Sequence, residues 1–391
     1  MKNSYTKETA YKKRIASFLN TAPDNIYLYW KGRVALYALL KAMGVQKGDE
    51  IILPAFTCVV VANAIKYLEA VPVYVDIEED TYNPSLLSIK EKITPRTKVI
   101  ICQNTFGLST DTDTIVELAK SYHIYTIEDC THGFGGYYLG QPNGTYCDAA
   151  FFSTQWNKPY STGIGGFAFI QNKQLKSEID IINRELLPAT FVNNLSLRLL
   201  YFAKENVMNK RFYWPLLSLY RFFSKFNLVQ GSSSGGELVG TEMPKNYFKQ
   251  ISETQINKGL QTIEYLPKTS EIRKKNAILY SEYLQKKGIK HVAMSLFDNH
   301  SFLLYPILVN NRDVIMEMAK QERIGIGDWF CSPLHPVKED LTLWDLDISK
   351  YPIAKSVSER IINLPTAIPN IEPVLDFLEK IDGFVSEQVD K

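Results

Sequence analysis

Hydrophobic and polar positions alternate along this chain with two periods, and the first half switches between them repeatedly. IYLYW (26–30) is a short apolar run of strand length. In the following KGRVALYALLKAMGV, Val34, Leu36, Leu39, Leu40 and Met43 recur at roughly helical spacing, and Gly44 and Gly48 end the run. EIILPA reads as a buried strand, FTCVVVANAIKYLEA as a helix with Thr57 placed to cap it, and VPVYVDI as the next strand. TKVIICQNTF, a helix at 112–122 and IYTIEDC continue the series. AAFFSTQ and GGFAFIQN (165–172) add two apolar strands around a polar loop. Strands alternating with helices predict βαβ crossovers, and so an α/β fold with a mainly parallel central sheet covered by helices.

The last third has a different pattern. EYLPKTSEIRKKNAILYSEYLQKKG reads as a long charged helix, HSFLLYPILVNN and IGIGDWF as strands, and SVSERIINLP as the start of a closing segment. This predicts a smaller α+β domain over 265–391 beside a large domain over 1–264. The stretch 191–240 stands apart as an aromatic and basic insert that ends in a linker-like QGSSSGGELVG. Between residues 195 and 229 it carries Arg198, Lys204, Lys210, Arg211, Arg221 and Lys225 against the single acid Glu205. Two readings of it stand: a surface that lies on a membrane, or a helical flap packed on a dimer or over the active site.

Composition adds little to this picture and removes some alternatives. The 391 residues suffice for a large core. A net charge of +2 gives no general attraction for nucleic acid. The five cysteines, Cys58, Cys102, Cys130, Cys147 and Cys331, never form a CxxC pair, which argues against a disulfide framework or structural zinc and fits a reducing cytoplasm. The polar N-terminus is unlike a signal peptide, and no apolar run is long enough to span a membrane.

Ligands of open α/β sheets sit where loops leave the carboxyl ends of strands, and three sets of residues fall there. In IEDCTHGFGG, Asp129 follows a strand and precedes a glycine-rich turn. Its carboxylate either caps that turn or keeps a heterocyclic nitrogen protonated. In FFSTQWNKPYSTGIGG, Lys158 lies in a loop between two apolar strands, either simply solvated or desolvated enough to form a Schiff base. Ser153 of the same segment is able to donate to a phosphate. In WKGRVAL, Gly32 lies between a strand and a helix, a tight turn or a phosphate seat at a helix N-terminus, with Arg33 adding charge. A phosphate seat, a carboxylate for a ring nitrogen and a lysine for an aldehyde are together what pyridoxal 5′-phosphate needs.

In order and spacing these blocks resemble the DegT-type sugar aminotransferases, a fold-type I pyridoxal-phosphate family, over nearly the whole chain. GDEIILPAFTCVVVANAIKYLEAVPVYVDI, ITPRTKVIICQNTFG, IEDCTHG, the Ser153–Lys158 spacing with STGIGG behind it, DWFCSPLHPV and INLP carry the resemblance. It implies that Lys158 binds the cofactor and moves the substrate proton, that Asp129 pairs with the ring nitrogen, and that His132, where many members have Gln, contacts the ring's hydroxyl side. It assigns the phosphate to Ser153 and the backbone of Gly32 and Arg33. It implies a homodimer that transfers an amino group from an amino acid, usually glutamate, to a keto sugar on a nucleotide. Cys58 stands where the family has an aromatic residue stacked on the ring. The family's Asn-Tyr-Arg element, which reaches the partner's phosphate, is blurred here: aligning on SETQ gives Phe248 and Gln250, with Asn246 close by. The loop after the lysine has Ile164 where an acid is common. Some relatives dehydrate sugars and replace the lysine with histidine, and a non-catalytic scaffold on the same fold is a further alternative.

Overall fold

The computed structural model describes residues 2–207 and 235–386. Helix α1 (Lys2–Phe18) is polar on average, yet it buries Tyr11 and Ile15 among Ile26, Phe134 and Ile256. Then come β1 (Ile26–Tyr29), α2 (Gly32–Ala42), β2 (Glu50–Pro54), the two-residue β3 (Thr57–Cys58), α3 (Val59–Lys66) and β4 (Val71–Val75). They are followed by α4 (Leu86–Lys92), β5 (Thr97–Gln103), α5 (Thr112–Ser121) and β6 (Tyr125–Asp129). A small hairpin, β7 (Tyr137–Tyr138) with β8 (Gln141–Pro142), precedes β9 (Ala149–Gln155), β10 (Ile164–Ile170) and α6 (Lys173–Ile182).

Seven strands form one sheet in the order β1-β10-β9-β6-β5-β2-β4. The neighbours from β9 to β4 run parallel, and β10 is antiparallel to both β9 and β1. This is the mainly parallel sheet that the alternating pattern predicts. Its strands are buried almost throughout, as expected of a sheet covered on both faces. The carboxyl ends of β6 and β9 lie side by side, with Asp129 opposite Phe151 two residues before Ser153.

The chain continues with α7 (Phe191–Phe202), α8 (Gly235–Val239), α9 (Glu253–Thr262) and the long α10 (Leu266–Lys286). After these come β11 (Leu304–Leu308), α11 (Arg312–Gln321), β12 (Leu334–His335), α12 (Pro352–Arg360), β13 (Ile361–Pro365) and α13 (Glu372–Leu378). β11 and β13 pair antiparallel, and Tyr280, Tyr305, Ile307, Ile362 and Phe377 form a core of their own around them. The segment between them does not stay there. Phe330, Leu334, Trp344, Ala354 and Val357 join the core of the large sheet, and β12 pairs in parallel with β3.

Three local expectations change. Thr57 does not cap α3: its N–H donates to Pro333 O, and long-range pairing with β12 draws Thr57 and Cys58 into a strand, so the helix starts at Val59. IGIGDWF forms no strand. It makes one bridge, Gly327 to Asn363, because Gly325 and Gly327 give a ladder no side chains to pack. The linker-like stretch does not run to 240: Gly235–Val239 is helical and Glu237 is buried. Its residues 230–234, and residues 208–234 of the insert generally, lie outside the described residues. No helix among the described residues is long and apolar enough to cross a membrane.

Candidate active site

One cavity opens at the carboxyl ends of β6 and β9, and Gly32, Arg33, Cys58, Asp129, His132, Ser153 and Lys158 all line it. Asn246 does not line it and is exposed. Seven of the eight residues singled out in the sequence are thus brought together.

Each is delivered by an identifiable local device. α2 begins at Gly32 with no side-chain cap from Lys31, so its first N–H groups face the cavity with the positive end of the helix dipole. A Cβ on Gly32 would lie 2.9 Å from Phe152 O and 3.1 Å from Ser153 Cβ. Only glycine lets this helix end sit against β9 beside Ser153. Asp129 is the last residue of β6 and accepts the Thr131 N–H at 3.0 Å. Burial pushes its carboxyl above the usual range, against the Thr131 hydrogen bonds and the nearby Lys158. Lys158 lies in the turn after β9, its N–H bonded to Gln155 O, with only 8% of its surface exposed. Burial pulls its ammonium down to about 8, opposed by Cys58 and Asp129. A buried lysine of this kind is a better nucleophile at neutral pH than a solvated one. His132 is buried and held well below its ordinary value, first by burial and then by Lys158 and His335, so it is a neutral ring. It stacks near Phe106 at 6.3 Å between ring centres.

Two features of the cavity were not read from the sequence. The first is its C-terminal wall. Trp329 and Phe330 line it, and the Trp329 ring centre lies 4.1 Å from Lys158 Nζ. Phe330 (φ 61°) and Phe106 (φ 54°) both hold left-handed backbone, which is strained for bulky residues, and their rings meet at 5.5 Å. DWFCSPLHPV marks this segment only by family resemblance; nothing local says that it folds back some 170 residues onto Lys158. The second is Glu237. Its carboxylate takes Arg33 Nη1 at 2.6 Å and lies 4.0 Å from Lys31 Nζ, and both members of the Arg33 pair are nearly fully buried. Burial works against the Arg33 charge, but Glu237, with Cys58 and Tyr247, raises its pKa above the ordinary value. Lys31 is drawn down to about 8, first by burial and then by Arg33. Glu237 sits in a stretch that reads as linker, so its role had no local signal.

The sequence profile described as the DegT/DnrJ/EryC1/StrS aminotransferase family matches residues 3–191 and 222–372. The chain belongs to this family. As a member it is an aminotransferase that uses pyridoxal 5′-phosphate. The part of the insert from 192 to 221 lies outside the match. The GDP-perosamine synthase of Escherichia coli O157:H7 is 28% identical over 362 residues, covering 91% of this chain and 85% of that protein. The UDP-2-acetamido-2-deoxy-3-oxo-D-glucuronate aminotransferase of Pseudomonas aeruginosa is 39% identical over 154 residues, 39% of this chain and 43% of that protein. Among solved structures, the sugar aminotransferase Spr1654 of Streptococcus pneumoniae in its PMP form superposes with a TM-score of 0.72 at 21% identity, covering 96% of this chain and 90% of that one. That likeness shows the DegT-family fold.

Proposed function

We propose that this aminotransferase moves an amino group from an amino acid, glutamate in the usual case, to a keto sugar carried on a nucleotide. The observation that carries the reading is the meeting of Lys158, Asp129, Ser153 and the α2 N-terminus in one cavity of a DegT-family chain. Relatives named for GDP- and UDP-linked sugars support the acceptor class.

The residues present fit the cofactor. Gly32 leaves α2 free to meet a phosphate with its N–H groups, and Ser153 adds a hydroxyl beside it. Asp129 would hold the proton of the ring nitrogen. When bound, pyridoxal phosphate supplies an aldehyde for amine capture and a ring that accepts electrons from the substrate carbon. Lys158 would anchor the cofactor through its amine and, with that amine free, would take and return the proton at the substrate carbon. His132, neutral, would offer the ring a hydrogen bond without adding charge. Cys58 offers no ring for stacking, and its thiol is raised above its ordinary value by burial. Asn246, exposed and off its own cavity, supports a homodimer in which it reaches the cavity of a second copy. Five free cysteines support action in the cytoplasm.

The purified protein should be yellow, should lose its colour with glutamate, and should regain it with a nucleotide-linked keto sugar. Lys158→Ala should abolish the glutamate response. A wild-type chain that neither binds pyridoxal phosphate nor responds to any amino donor sinks the reading.

A second reading concerns α7. Leu197 and Tyr201 pack on Trp30 and Ile164, while Phe191, Val192, Leu195, Leu199 and Phe202 are exposed within an arc of about 100°. This face and the basic excess of 195–229 support a peripheral contact with an anionic membrane. Flotation with phosphatidylglycerol vesicles at low salt should carry the protein upward, and Phe191→Ser with Phe202→Ser should weaken this. No flotation at low salt removes the reading.

A further inference from the structure

We propose that Trp329 is a positioning residue for Lys158, its indole face carrying the lysine ammonium and setting the pH at which the free amine appears. The proposal rests on Lys158 being the cofactor's anchor. An ammonium within about 6 Å of an indole centre is attracted by the ring's negative face, and Nζ lies 4.1 Å from that of Trp329.

The ring is fixed from several sides. It stacks on His335 at 5.3 Å and 20° and meets the edge of His132 at 5.1 Å and 70°. His335 in turn accepts the Phe330 N–H on Nδ1 at 3.2 Å, which closes the turn. The segment is tied at both ends, at Gly327 to Asn363 and at Leu334–His335 to Thr57–Cys58. The indole therefore reaches the lysine from the C-terminal part of the chain while its turn is held between β13 and β3.

The other groups facing Lys158 are Cys58 from β3, Asp129 from β6, Arg33 from α2, His132 and His335. Cys58 and Asp129 favour the ammonium, and Arg33 opposes it. Both histidines are neutral at neutral pH, His335 being held at about 4, chiefly by burial. Burial drives the lysine toward the free amine, and the indole face works the other way. An ammonium pinned there stays aimed into the cavity, ready to return a proton. Once neutral, it is already placed to attack an aldehyde.

The sign follows. Removing the aromatic face while keeping its apolar bulk takes away support for the charged form, so the free amine should appear at lower pH. Trp329→Leu keeps most of the bulk, and Trp329→Phe keeps a weaker ring. The full chain, freed of cofactor, is mixed with pyridoxal 5′-phosphate, and the rate of uptake is followed by absorbance from neutral to alkaline pH. The midpoint should fall by about half a unit or more in Trp329→Leu, and by less in Trp329→Phe. Lys31 titrates in the same range, but it faces Glu237 and keeps that neighbour in both variants. A midpoint that is unchanged or raised in Trp329→Leu overturns the proposal. If Trp329→Leu does not fold, an unmoved midpoint in Trp329→Phe does the same. A wild-type chain that takes up no pyridoxal phosphate overturns the anchor reading, and this proposal with it.

Discussion

The cavity has two halves built in different ways. The strand-end half, Gly32, Asp129, Ser153 and Lys158, comes from short sequence blocks whose residues sit at the ends of their own strands and helices. The other half, Trp329 and Phe330 in the lining with His335 and Glu237 behind it, comes from segments that mean little locally and reach the site by long-range packing. The residues proposed for the chemistry are concentrated in the first half. The second half walls the cavity and, in the roles proposed for it, positions Lys158 and balances the charge of Arg33. The difference teaches that a site's reactive groups can be written locally while its environment cannot.

The sharpest way to break this division is Lys158→Ala. It should lower amino transfer by on the order of 10²–10⁴-fold or more, with the thermal midpoint of the cofactor-free chain unchanged or raised, because a buried amine is lost. A large loss of stability would mean that the strand-end half also holds the fold together. Glu237→Ala should do the opposite. It leaves Arg33 buried without its carboxylate and should lower stability by about 3–5 kcal/mol, read by denaturant unfolding. An effect under about 1 kcal/mol would show that the pair is not a structural clamp. Gly32→Ala tests the boundary between the halves. Its Cβ would meet the Phe152 carbonyl at 2.9 Å, and the strain should cost about 1–3 kcal/mol. It should also weaken pyridoxal phosphate binding, measured by equilibrium titration. The smallest effect belongs outside both halves. Phe191→Ser and Phe202→Ser lie on an exposed face and should each change stability by less than about 0.5 kcal/mol, whatever they do to vesicle binding.

The misread elements follow the same line. Thr57 has the chemistry of a helix cap, but a strand from residues 334–335 claims its backbone. Glu237 lies in a glycine- and serine-rich stretch that has every local mark of a linker, yet α8 seats it on Arg33. Asn63 binds the pair's helix from a third element, its side chain donating to Glu237 O and accepting from Trp344 Nε1. None of these partners is close in sequence, and a pattern of neighbours holds no information about which distant backbone will arrive. The polar α1 was missed because only a few of its residues, among them Tyr11 and Ile15, are buried, too few to give a clear apolar stripe.

The sequence by itself determined the alternating strands and helices, the mainly parallel sheet, and the placement of Asp129, Ser153 and Lys158 after strands. These depend on residue period and on turn chemistry, both of which act within a few positions. Only the tertiary structure decided that Trp329 stands over Lys158, that Glu237 balances Arg33, and that Asn246 stays outside its own cavity. Those outcomes are set by which apolar surfaces are buried together across the whole chain, and burial of that kind is a property of the fold rather than of any segment.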